Sequence, residues 1–355
     1  MRILHVVGAR PNFIKLASVH RAIREGTCFQ QTILHTGQHC DACMSDVFFR
    51  QLDLPQPDLE IGARSGASVS EMADSIFQSS QLACLRPDLM MIYGDVNSTA
   101  AGAIAGKKLG TRIGHVEAGL RSFDPTMPEE ANRILADHNS DLLFTPSEDA
   151  DHNLTREGIA REKIRRVGNV VIDTLTRSLA SARFTRFPLL ERHALVTLHR
   201  PSNVDKDSSL QQILQALIRI SEIIAVVLPV HPRTRRTIDK IGFRSEGANI
   251  RLLDPLPYLD FIALERDAAV VITDSGGVQE ETTFLRVPCL TLRDNTERPV
   301  TVDVGSNTIA GSNPESLHSL VSDVINGSRR KGSVPALWDG YASQRIVTCL
   351  KEEFA

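Results

Sequence analysis

The sequence predicts an α/β protein made of two doubly wound, Rossmann-like sheets with a cleft between them. Three observations predict it. Short apolar, β-branched runs alternate with helix-length segments from end to end. The runs are continuously apolar rather than alternating, which is the pattern of parallel strands covered on both faces. At 355 residues, the chain is long enough for roughly two domains of ordinary size.

In the first half, strands are expected over 3–7, 32–34, 89–93, 113–116 and 142–144, with helices over 13–24, 69–85, 99–108 and 129–139. In the second half, strands are expected over 194–198, 225–230, 250–253, 268–273 and 288–292, with helices over 210–220, 234–241, 258–265 and 278–285. The join is placed at Val167-Gly168-Asn169-Val170. This gives a first domain over 1–168 and a second over 169–341, with an amphipathic helix over 342–355 expected to pack back on the first. Ligands of such folds bind beyond the carboxyl ends of the strands.

Composition narrows the function. Charged residues are 23% and hydrophobic residues 42%, as in ordinary globular proteins. A net charge of -3 supplies no broad basic surface for nucleic acid. No apolar run reaches the roughly 20 residues that span a bilayer. The start, Met1 to Gly8, reads as a first strand rather than a signal peptide, so a cytoplasmic location is expected. There the six cysteines would be reduced. Cys40-Asp41-Ala42-Cys43 has redox-motif spacing after His39, but no second Cys/His pair completes a zinc site. Chance spacing at a helix start is the reading preferred, and no metal is expected.

The loops carry the chemistry. The run ending at Ile272 stops at Thr273-Asp274-Ser275-Gly276-Gly277, and a helix-like stretch follows. Unpaired N–H groups at a helix start bind phosphate, and glycine lets the backbone approach a bulky anion. Glu281, one turn on, is placed to accept hydrogen bonds from a sugar diol. A tight strand-to-helix turn is the competing reading of this segment. Gly8-Ala9-Arg10-Pro11 follows the first strand, with Lys15 a turn later. Both cations are candidates to meet an anion, or else they mark an exposed helix start. Asp95 follows Gly94 at a strand end, Glu117 ends another strand, and Glu129 follows Pro128 at a helix start. Singly, each carboxylate reads as a cap or surface group. Together they point to proton transfer, with crowding expected to raise at least one pKa. His199 and His231 close two strands of the second half, and Arg293 and Arg298 flank its last loop.

Taken together, these segments resemble the non-hydrolysing UDP-N-acetylglucosamine 2-epimerase family. The matches include Gly8-Ala9-Arg10-Pro11 with Lys15, Gly94-Asp95, His115-Val116-Glu117-Ala118-Gly119-Leu120-Arg121, Pro128-Glu129-Glu130-Ala131-Asn132-Arg133, His199-Arg200, Asp274-Ser275-Gly276-Gly277-Val278-Gln279-Glu280-Glu281 and Thr296-Glu297-Arg298-Pro299. They run in family order. The resemblance implies a glycosyltransferase-B type fold, a homodimer and a UDP-sugar substrate, with no cofactor. It implies interconversion of UDP-N-acetylglucosamine and UDP-N-acetylmannosamine by elimination of UDP to a 2-acetamidoglucal and re-addition. It assigns acid/base positions to Asp95, Glu117, Glu129 and His199. It assigns diphosphate-side positions to Arg10, Lys15, His199, Ser275, Gly276, Gly277 and Arg298. Glu281 matches the ribose-binding glutamate and Phe261 the uracil-side aromatic. The chain departs from many members in having Pro201-Ser202-Asn203 after His199-Arg200, and Cys40 to Met44 after His39. The alternatives are a glycosyltransferase of the same fold and a hydrolysing epimerase releasing N-acetylmannosamine and UDP.

Overall fold

The computed structural model describes residues 1–38, 49–62, 66–184, 192–328 and 332–354, so the Cys40–Cys43 motif lies outside the described residues. It divides into two units, one of Met1–Arg177 with Ala336–Ala355 and one of Ser178–Pro335.

In the first unit, the apolar runs form strands β1 (Arg2–Val7), β2 (Gln30–His35), β3 (Leu59–Glu60), β4 (Leu89–Tyr93), β5 (Arg112–Val116), β6 (Leu142–Thr145) and β7 (Ile164–Arg166). Their order in the sheet is β3-β2-β1-β4-β5-β6-β7, and every pairing is parallel. All five residues of β4 are buried, which is why the run carries no polar alternation. On one face, Leu4, Val6, Met90, Ile92 and Ile113 pack against Met72, Ile76, Ala101 and Ala105 of the covering helices. The order reverses between β1 and β4, so the loops leaving these two strands diverge and expose the sheet edge there.

The end of the chain completes this unit. Helix Ala342–Glu353 packs against helix Arg10–Gly26. Its first N–H groups, from Ala342 and Ser343, donate to the Asp173 carboxylate at 3.1 and 2.6 Å. Trp338 is buried, and its Nε1 donates to the Pro146 carbonyl at 2.9 Å.

The second unit repeats the scheme. Its strands are β8 (His193–Thr197), β9 (Ala225–Pro229), β10 (Ile250–Leu253), β11 (Val270–Thr273), β12 (Cys289–Thr291) and β13 (Asn307–Ile309). They are all parallel in the order β10-β9-β8-β11-β12-β13, which reverses between β8 and β11. Ala194, Val196, Val226, Leu228, Val270 and Ile272 form one face of its core with Leu210, Leu214 and Leu217.

Several features differ from the expected elements, among them helices Pro201–Val204 and Leu317–Ile325, which were not expected. The helix expected over 69–85 is two helices, Val69–Phe77 and Ser80–Leu85. The first is capped by Ser68 and Glu71 in a reciprocal pair, and Ser79 begins the second. The short strands β3, β7 and β13 stand at or near sheet edges where no strand was expected.

Candidate active site

At the switch point of the first unit, Asn12 joins two loops. Its Oδ1 accepts from Gly8 N and Ala9 N at 3.1 and 3.2 Å, and its Nδ2 donates to the Tyr93 carbonyl at 2.7 Å. That bond ties the end of β1 to the end of β4. Arg10 opens the helix at this corner, half-buried. Lys15, a turn later, is buried with its ammonium 3.0 Å from Glu117 Oε1. Gly94 makes the contact possible: its φ is +63°, and a Cβ there would lie 2.5 Å from Lys15 Nζ. Glu117 itself has φ 73°, in the left-handed region where a side chain costs about 1–2 kcal/mol. Strained backbone of this kind is retained where the surroundings over-determine it, and it clusters at functional sites. Here the N–H groups of Glu117 and Ala118 both donate to the Phe144 carbonyl at 3.1 Å.

Asp95 is half-buried and ion-paired to Arg133, which also holds Glu130 at 2.7 Å. Glu130 in turn accepts from Ser122 N at 3.0 Å and Phe123 N at 2.9 Å, folding the loop after Glu117 back onto helix Pro128–Asn139. Burial opposes ionisation of Glu130, but the N–H groups of Ser122 and Phe123 and the Arg133 guanidinium hold its pKa below the ordinary carboxylate value. Glu129 sits half-buried at the second position of the same helix and has no hydrogen-bond or ion-pair partner among the described residues. Two of the three candidate carboxylates thus have a counter-cation: Glu117 is paired with Lys15 and Asp95 with Arg133.

In the second unit, Asp274 organises the switch point. It is fully buried at the end of β11, and its oxygens accept from His199 N at 3.1 Å, Arg200 N at 3.0 Å and Asn203 Nδ2 at 3.0 Å. His199 Nδ1 lies 2.8 Å from the same carboxylate. Burial opposes ionisation, yet these bonds, that of His199 foremost, hold the Asp274 pKa below its ordinary value. Asp274 as a carboxylate fixes the hydrogen of the His199 ring on Nδ1 and turns Nε2 away from it. The His199 side chain is 46% exposed, so that nitrogen is accessible.

Helix Gly276–Leu285 begins immediately after Asp274 and Ser275. Ser275 is its N-cap, but the side chain makes no capping bond, so its first N–H groups are not spent on Ser275. Arg298 lies over this helix start. Its Nε is 2.9 Å from Glu280 Oε1, and its Nη1 is paired to Glu297. Glu297 also takes Arg293 Nη2 at 2.7 Å. A Cβ on Gly276 would come within 2.3 Å of Arg298 Nη1, so glycine here makes room for the guanidinium. A Cβ on Gly277 would meet no atom within 4 Å. The packing of the protein does not require that second glycine. Glu281 is buried one turn on, and Tyr258 donates to its Oε1 at 2.7 Å. Burial drives the Glu281 pKa up to about 7, with repulsion from Glu280 adding and the Tyr258 bond opposing. Phe261 is half-buried against the cluster of Leu264 and Val278.

The described residues hold no cluster of His, Cys, Asp and Glu fit for a metal ion. None of the helices among them is long and apolar enough to cross a membrane. Arg133, Asp274 and Glu297 stand inside the quoted segments without an assigned role, yet each holds a candidate residue: Arg133 pairs with Asp95, Asp274 with His199 and Glu297 with Arg298. Their roles were not legible because each depends on which partner the fold brings to it.

Residues 21–351 match the family model described as UDP-N-acetylglucosamine 2-epimerase. The chain belongs to the UDP-N-acetylglucosamine 2-epimerase family. It is 44% identical over 362 residues to the UDP-N-acetylglucosamine 2-epimerase homolog of Methanococcus maripaludis, covering 99% of each chain. It is 43% identical over 371 residues to the UDP-2,3-diacetamido-2,3-dideoxy-D-glucuronate 2-epimerase of Pseudomonas aeruginosa, again covering 99% of each. Among solved structures, it is similar to the Methanocaldococcus jannaschii UDP-GlcNAc 2-epimerase in complex with UDP-GlcNAc and UDP. The TM-score is 0.90 at 38% identity, covering 99% of this chain and 100% of that one. The fold of this epimerase family member is thus the glycosyltransferase-B type that its motifs implied.

Proposed function

We propose that this chain is a non-hydrolysing 2-epimerase that interconverts UDP-N-acetylglucosamine and UDP-N-acetylmannosamine. The C1–O bond to UDP breaks, and its electron pair leaves with the diphosphate. A carboxylate takes the C2 proton, and the C2–H electron pair becomes the C1=C2 bond of a 2-acetamidoglucal. Proton return to the other face of C2 and attack of a UDP oxygen at C1 complete the inversion. No water enters the balance.

In this reading, the second unit holds the nucleotide. The Ser275 hydroxyl and the N–H groups of Gly276 and Gly277, with Arg298 and the Nε2 face of His199, stabilise the charge that develops on departing UDP. Glu281 takes the ribose hydroxyls and Phe261 the uracil. In the first unit, Asp95, Glu117 and Glu129 serve the hexose, carrying the C2 proton and stabilising positive charge at C1. Arg10 supports the diphosphate, and Lys15 orients Glu117. Having no partner of its own among the described residues, Glu129 is the carboxylate readiest to engage substrate. The same proposal includes a homodimer working in the cytoplasm, with sedimentation the test of the dimer.

One observation carries the reading in a chain of this family: a buried carboxylate, Glu117, is held in strained backbone at the end of a central strand. The Pseudomonas relative, by its name, acts on a more heavily modified sugar at nearly the same identity. The test is therefore a panel of UDP-2-acetamido sugars in D2O. Deuterium at C2 together with the epimeric UDP-sugar is the expected result. Free N-acetylmannosamine with UDP would convert the assignment to a hydrolysing epimerase. Transfer of the sugar to an acceptor would make it a glycosyltransferase. No exchange with any member of the panel overturns the proposal.

A further inference from the structure

Behind the carboxylate loops of the first unit runs a line of four charged side chains that the chemistry above does not use. Glu157 takes Arg121 Nε and Nη2, each at 2.7 Å, and at its outer side meets the half-exposed His138 at 3.0 Å. Arg121 Nη1 donates to Asp137 Oδ2 at 2.7 Å. Asp137 Oδ1 lies 2.7 Å from His115 Nδ1. His115 Nε2 lies 2.8 Å from the carbonyl oxygen of Gly94. The side chains of His115 and Asp137 are wholly buried, and that of Arg121 nearly so.

Hydrogen counting fixes the state of the ring. A neutral imidazole offers one N–H and one lone pair. Here both nitrogens face oxygen. The Gly94 carbonyl has no hydrogen to give, so Nε2 must carry one. Asp137 receives Arg121 and, at 3.1 Å, the N–H of Gly119 on its other oxygen. Donors on a carboxylate favour its ionised form, so the hydrogen toward Oδ1 belongs to Nδ1. Both ring nitrogens are then protonated, and the four groups alternate in sign: Glu157 negative, Arg121 positive, Asp137 negative, His115 positive. Each buried charge has its counter-charge, without which burial is prohibitive.

We infer that His115 is held as an imidazolium, and that the Glu157–Arg121–Asp137–His115 line is a positioning device for Asp95 and Glu117, resting on the epimerase reading for what those two carboxylates do. The two loops meet at Asp137. Through His115 it fixes the peptide oxygen immediately before Asp95. Through the Gly119 N–H it fixes the turn two residues after Glu117. Gly94, pinned by its carbonyl, is also the residue whose missing side chain admits Lys15 to Glu117. One buried anion therefore sets the separation of the two groups.

Asp137→Ala tests this. It removes the counter-charge and every bond that Asp137 makes, to His115, Arg121 and the Gly119 N–H, so neither loop is tied to the other through this position. The expected kcat falls about 100-fold, the scale of an ångström-level misplacement. Affinity for UDP, to which none of these four side chains contributes in the proposed reading, stays near the wild-type value. Arg121→Lys, which keeps the charge beside Asp137, retains more activity than Arg121→Gln. Independently of activity, nitrogen NMR of histidine-labelled wild-type enzyme should show both ring nitrogens of His115 protonated, with the resonances assigned by their loss in His115→Gln. A single protonated nitrogen overturns the imidazolium. A folded Asp137→Ala enzyme with wild-type kcat overturns the positioning role. If that variant does not fold, the spectrum and the Arg121 pair decide. Absence of C2 exchange by the wild-type enzyme would instead sink the epimerase reading and leave the spectrum to judge His115 alone.

Discussion

Gly277→Ala separates the demands of folding from those of ligand binding. Gly277 is the second residue of helix Gly276–Leu285, and a Cβ there meets no atom of the protein within 4 Å. Alanine in a helix is favoured over glycine by roughly 0.5–1 kcal/mol, so the variant should be as stable as wild type or slightly more so. UDP binding should change in the opposite direction. If diphosphate oxygens lie against these N–H groups, the added methyl stands where the anion approaches. Losing one charge-assisted hydrogen bond costs roughly 1.5–3 kcal/mol. That is about 10- to 150-fold in Kd. Gly276→Ala is the contrast. Its Cβ would fall 2.3 Å from Arg298 Nη1 and 2.7 Å from Glu297 Oε1, so both stability and binding should suffer. Urea unfolding and calorimetric titration with UDP measure the two quantities on the same samples. A Gly277→Ala protein that binds UDP as tightly as wild type would refute the claim that this helix start holds the diphosphate. A large loss of stability would refute the claim that the packing leaves the position open.

Other perturbations reach the remaining parts of the site. Lys15→Met leaves the buried Glu117 carboxylate without its ammonium and should cost roughly 3–5 kcal/mol in urea unfolding. Adding Glu117→Gln should restore most of that stability and none of the C2 exchange. Glu281, with its pKa raised from 4.5 to about 7, is protonated in the folded state over a range where the unfolded chain has already ionised. Its contribution is therefore full below about pH 4.5 and is lost as pH rises to about 7. The wild-type unfolding free energy should accordingly fall relative to that of Glu281→Gln across this window, and parallel curves would contradict the shift. Trp338→Phe strands the Pro146 carbonyl and should cost roughly 1–3 kcal/mol. As Trp338 is the one tryptophan of the sequence, its fluorescence in the wild type should report unfolding of the first unit alone, checked against far-ultraviolet circular dichroism.

The central strands were legible because burial on both faces writes itself as unbroken apolar sequence. β4 and β11 stand where Leu89 to Tyr93 and the run ending at Thr273 placed them. β3, of two residues, and β7 and β13, of three, were not legible. Such strands are defined by the neighbour they pair with rather than by any period of their own. The helix Val69–Phe77 was read as continuing to Leu85 because apolar spacing persists across Gln78 and Ser79, where the backbone restarts. At the site, glycine-rich turns and strand-end carboxylates announced their positions by type. Their counter-ions did not. Arg133 and Glu297 lie in matching segments that assign them no role, and they are buried in the structure, where Asp95 and Arg298 neutralise them.

The first unit is discontinuous: the chain leaves it at Arg177 and re-enters at Ala336. On the ribosome, the helix that covers Arg10–Gly26 and the indole that docks on Pro146 are synthesised after the whole of the other unit. The Asp173 bonds to Ala342 and Ser343 therefore close a stretch of chain with separations of 169 and 170 residues that contains the whole intervening unit. So long a loop is cheap to extend, since each doubling of its length adds only about 0.6 kcal/mol, so the intervening unit can gain or lose surface segments at little cost to the contacts that bracket it.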